Sequence, residues 1–182
     1  VRDQGHSPLG QLGLVWGLGG VCTMLVSAAV RLAPRAFEPV RDGMSTLEWA
    51  AWLGSIAFMA YTEGYKGFQR NFSPRVVARA LHLRAHPRPL HVALAPLFCM
   101  ALFHASRVRL IVAWVVLLGV VTLVTIVRGF PQPWRGIVDA GVIVGLTWGV
   151  AAIVVFAVRG LSGRSLPVEP GLPDSPSSGG AG

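Results

Sequence analysis

The sequence predicts an all-α fold, a polytopic transmembrane helical bundle of about five spans. The first observation behind this is composition: of 182 residues, 53% are hydrophobic and 13% charged, where a soluble domain carries roughly 25% charged residues. The second is arrangement. Five runs contain no Asp, Glu, Lys or Arg: Leu12–Val30, Trp49–Thr62, Pro89–Ser106, Leu110–Val127 and Ala140–Val158, of 19, 14, 18, 18 and 19 residues. A helix needs about 20 mostly apolar residues to cross a hydrocarbon core of ~30 Å. These runs exclude an ordinary soluble enzyme, a disordered chain and a disulfide-built secreted scaffold. Cys22 and Cys99 both fall inside apolar runs and read as small hydrophobes, with no metal-ligand spacing around them.

Taken in order, a polar lead precedes a first span at about 12–32, closed by the basic flank at Arg31. Val26-Ser27-Ala28 has the small residues of a signal-peptidase site. However, Asp3 offsets Arg2 in the leading region, and the apolar run continues past Ala28, which argues against cleavage. Pro34 and Pro39 predict a loop. Ser45, with Glu48 three residues on, has capping-box spacing for a second span at about 47–65. That span is the shortest in uncharged residues, so four spans plus an interfacial segment is the alternative. The stretch 66–88 holds six bases and no acid. Within it Ser73-Pro74 predicts the start of an interfacial amphipathic helix over about 74–86, with Arg75, Arg79, His82 and His86 on one face and Val76, Val77, Ala80 and Leu83 on the other. Spans at about 89–106 and 108–127 follow as a tight hairpin. An interfacial turn with Phe130 and Trp134 then leads to a fifth span at about 137–158. Residues 1–160 thus form one transmembrane domain, and the Pro/Gly/Ser-rich tail 161–182 is expected to be disordered.

Net charge is +8, from fifteen Arg, one Lys and eight acids. Because the bases flank apolar runs, anionic lipid headgroups are the expected partner and nucleic acid is not. The preference for Arg over Lys, with abundant Ala, Gly and Val, suggests a bacterial gene of high GC content, hence a multi-pass protein of the bacterial inner (cytoplasmic) membrane.

Three groups of residues carry the functional expectations. Lys66, Arg70, Arg75 and Arg79 could hold a lipid phosphate or another anion. Glu48, Ser55 and Thr62 repeat every seven residues, with Glu63 beside them, as a polar stripe that could line a proton or cation path. Gly13, Gly17 and Gly20, and Gly141, Gly145 and Gly149, form small-residue faces for close helix packing, within the chain or against a second copy. His91 and His104 lie 13 residues apart, about 140° around a continuous helix, which argues against a haem pair. His82 and His86 lack a third ligand for zinc. Asp139 reads as an anchor for Arg135, and no catalytic motif, metal site or cofactor site is predicted. The expected function is that of a non-catalytic accessory or scaffold subunit, packing through glycine-rich faces, contacting anionic lipid, and meeting a membrane-protein partner or a second copy. A small proton- or cation-linked transporter or channel using the Glu48–Glu63 stripe is the alternative. A membrane enzyme acting on a lipid headgroup is a further one.

Overall fold

The computed structural model describes residues 7–172, and among these every regular element is helical. Helix α1 (Pro8–Asp42) opens with the Ser7 hydroxyl accepting the Gly10 N–H at 3.1 Å and Pro8 at the first position, where a missing N–H costs nothing. It runs unbroken through Val26–Ala28 and through Pro34 and Pro39, where the sequence had predicted a loop, and stops at Gly43 with φ 89°. Packing explains the continuation: the Pro39 ring is buried against the open backbone of Gly136, which offsets the lost amide bond.

The next forty residues form one continuous helical run. Helix α2 (Thr46–Met59) starts at the predicted capping box, with both Ser45–Glu48 hydrogen bonds made. It passes into a π-helix (Ala60–Phe72) and then into α3 (Ser73–Ala85). The sequence expectation of a span at 47–65 followed by a separate surface helix at 74–86 is therefore corrected. Ser73 is helical rather than an extended cap, with φ −60° and ψ −44°, and its N–H bonds to Phe68 O, five residues back. Proline supplies a physical reason: the Pro74 ring crowds the carbonyl four residues earlier and offers no N–H, and a wider turn with i→i+5 bonds accommodates both.

Residues 89–106 do not form the expected span. Pro87 and Pro89 end α3, α4 (Pro89–Ala93) and α5 (Ala95–Cys99) last five residues each, and Leu94 between them leaves the helical region at φ −101°, ψ 29°. Ala101 and His104 take positive φ values of 60° and 49°, and the chain turns back on itself. Helices α1 and α3 pack over this segment.

Helix α6 (Arg107–Arg128) leads through an exposed turn to α7 (Trp134–Leu161). Arg35 and Pro39, late in α1, lie against Gly136 at the start of α7, while Leu14 shares a core with Phe156 near its end. Helix α1 is therefore antiparallel to α7. Ser55, Phe68 and Leu81 meet Gly141, Gly149 and Gly160 in turn, so the run 46–85 is parallel to α7. The core lies where α1, α3, α5 and α7 converge, on Val21, Val76, Val77, Leu83, Phe98 and Ile153. Three helices, α1, α6 and α7, are long and apolar enough to cross a bilayer. The five-span bundle is not reproduced.

The glycine faces are occupied within the chain. Gly13 faces Leu83 and Val92, Gly17 faces Cys99 and Ala95, and Gly20 faces Pro96, all outside α7. Gly141 faces Ser55 and Met59, Gly145 faces Glu63, and Gly149 faces Phe68. The two series thus seat two different neighbours rather than each other. The first part of the tail is also placed, contrary to the expected disorder from 161. Leu166 and Leu172 pack against the core, and the Ser106 N–H bonds to Gly171 O at 3.2 Å. Residues 173–182 of that tail lie outside the described residues.

Candidate functional site

The polar residues Glu63, Lys66, Gln69, Arg70 and Asn71 fall on the π-helix. Its inner side is fixed by α7: Gly64 leaves room for the Trp148 ring, Phe68 fills the gap at Gly149, and Trp148 Nε1 donates to Gln69 Oε1 at 2.8 Å. Its outer side carries exposed Tyr61, Tyr65, Lys66, Arg70 and Asn71, and Glu63, with its Cβ against Gly145, is exposed at the edge of the α7 contact. Tyr61 and Tyr65 stack at 6.1 Å, Lys66 Nζ sits 4.7 Å over the Tyr61 ring, and the Arg70 guanidinium lies 5.7 Å over Tyr65. Both cation–π pairs are i,i+5. On an α-helix such residues point about 140° apart, so the wide π turn creates the ladder.

Height along the bundle gives this face its chemistry. Gln69 is level with Trp148, half-way along α7, and Glu63 is level with Gly145. Two outward-facing bases, and an exposed acid whose stem lies against Gly145, therefore sit at mid-height of a helix long and apolar enough to span a bilayer. A charged side chain at the centre of a bilayer costs about 3 kcal/mol on insertion scales.

Arg79 departs from the expected anion set. It is 1% exposed, and its guanidinium donates to four carbonyls: Nε to Phe98 O at 2.6 Å, Nη1 to Pro170 O at 3.0 Å, and Nη2 to Phe103 O and His104 O at 3.2 and 3.0 Å. It also lies 4.2 Å over the Phe98 ring. An arginine cannot shed its charge at neutral pH, and here carbonyl dipoles of the reversing segment and of the tail solvate it. Lys66 and Arg70 stay on the exposed face, and Arg75 is half-buried on α3.

The members of the predicted polar stripe are spent on separate local contacts. Glu48 caps α2, Ser55 lies against Gly141, and the Thr62 hydroxyl donates to Phe58 O at 2.8 Å. Glu63 folds over Gly67, with no ion pair to it among the described residues. Asp139 is 4% exposed and lies 3.9 Å from Arg135.

One grouping escaped the sequence. His91 and His104 are brought to 4.6 Å between ring centroids, because the helix between them is broken, and His91 stacks on Phe98 at 5.0 Å. The 140° argument required a continuous helix. No group of three metal-ligating side chains occurs among the described residues.

Neither a protein-family model, nor a curated protein, nor a solved structure matches the chain.

Proposed function

We propose that this chain is a non-catalytic, multi-pass subunit of a bacterial inner membrane, and that the outer face of its π-helix docks onto another membrane protein. The observation that carries the reading is the placement of exposed Glu63, Lys66 and Arg70 level with the middle of α7. Charges at that depth are tolerated against protein or water and not against lipid tails. In this reading α1, the run 46–85, α6 and α7 cross the bilayer, and 89–106 enters and leaves from one side. The end that gathers Arg84, Arg88, Arg107, Arg109, Arg159 and Arg164 is then cytoplasmic, and its bases meet anionic lipid headgroups. Arg31, Arg35, Arg41, Arg128 and Arg135 lie at the other end, interspersed with Glu38, Asp42, Glu48 and Asp139.

Transport along the Glu48–Glu63 stripe is less well supported, because those side chains make separate local contacts. A groove of about 510 Å³ along α7 beside Gln69 is lined mainly by apolar side chains. A photo-crosslinking residue at position 70 should give a discrete protein adduct in native membranes, whereas one at position 116 on the lipid-exposed α6 should give lipid adducts. Lipid adducts alone at position 70 would defeat the docking reading.

A further inference from the structure

We infer that the partner at this face is a second copy of the chain. The two copies stand parallel about a twofold axis along the bundle, with Glu63 of each paired with Lys66 of the other. The inference rests on the docking reading above and names its partner.

Charge pattern is the first support. A face of one sign would repel its own copy, but this one carries Glu63 and Lys66 three residues apart, and a twofold contact places each surface against itself. Copies inserted in the same orientation meet at equal depth. Residues 63 and 66 then differ in height by three residues, at most about 4.5 Å of helix rise, which the two side chains can bridge between copies, and the twofold makes the pair form twice.

Local geometry is the second support. Within one chain the acid and the base are drawn apart: Lys66 reaches back over Tyr61, and Glu63 folds over Gly67. Lys66 and Arg70 each lie over a tyrosine of their own chain, and Glu63 has no ion pair among the described residues, so the acid is the group left to pair in trans, with Lys66 the nearest base of the other copy. The third support is the surface around them. No residue of α2 is buried, and Gly54, Phe58, Tyr61 and Tyr65 continue one exposed stripe into the π-helix. An added Cβ at Gly54 meets nothing within 4 Å, which leaves space for a facing backbone at close approach.

The test is the mass of the full-length protein in lipid nanodiscs across a dilution series. The wild type should dimerise. Glu63→Lys alone and Lys66→Glu alone should each weaken the dimer at least tenfold, and the double exchange E63K/K66E should restore it. To cover variants that fail to fold, Tyr65→Cys in native membranes should form an intermolecular disulfide under mild oxidant, whereas Leu118→Cys on α6 should not. A dimer indifferent to both single reversals, or no disulfide at 65, overturns the inference. A monomeric wild type that still gives a heterologous adduct from position 70 overturns the second copy while leaving the docking reading in place.

Discussion

Replacing Arg79 by methionine should be among the most damaging single changes to this protein. Methionine fills much of the volume but leaves the Phe98, Phe103, His104 and Pro170 carbonyls without the donor they now share. Buried polar groups left unpaired cost about 1–3 kcal/mol each, less what relaxation recovers, so a loss of about 4 kcal/mol is expected, at the upper end for point substitutions. Arg79→Lys should recover only part of it, since a point ammonium cannot serve the forked arrangement of acceptors. The specific readout is limited proteolysis. Release of the tail at 162–172 should accompany the drop in thermal midpoint, because Arg79 bonds that tail through Pro170. A variant with the wild-type midpoint and a protected tail would show that the carbonyls find other donors.

The second large effect is expected at Gly136. A Cβ there would lie 2.7 Å from Arg35 O and 2.6 Å from Pro39 Cγ, and neither a helix backbone nor a proline ring can swing aside. Gly136→Ala should therefore push α1 and α7 apart at a cost of about 2–3 kcal/mol, in the range of core overpacking. Gly119→Ala on α6, where a Cβ meets nothing within 4 Å, should be neutral or slightly stabilising, as alanine favours helix over glycine. Equal thermal midpoints for the two variants in detergent would contradict the close α1–α7 contact.

The membrane character and the three longest apolar helices were legible in the sequence, because uncharged runs of 18–19 residues have few other uses. The capping box at Ser45–Glu48 was legible for a local reason: both hydrogen bonds lie within four residues. What was not legible depends on tertiary context. Pro34 and Pro39 read as breakers, yet α1 passes through both: Gly136 receives the Pro39 ring, while Pro34 is exposed on the helix. The run 89–106 has the length of a span, and its reversal is held by Arg79, whose acceptors lie up to 91 residues away in sequence. Arg79 itself fits two faces: with Arg75, His82 and His86 it reads as cationic, and with Val76, Ala80 and Leu83 as part of the apolar side. The structure takes the second. The π-helix left no periodic signature that an α-helical reading would notice, so the candidate site was located in sequence but its depth and its tyrosine–cation ladder were not.

The central claim is that the outer face of the π-helix is covered by protein at mid-membrane depth. Its most direct test is a spin label at Tyr61→Cys on that face, in the full-length protein reconstituted in liposomes, with Val116→Cys on α6 as reference. Collision rates with oxygen, which concentrates in lipid, and with a water-soluble nickel chelate are then measured. The account predicts that position 61 is shielded from both, while position 116 collides freely with oxygen. Oxygen collision at 61 equal to that at 116 would mean that lipid covers the charged face, and would contradict the account.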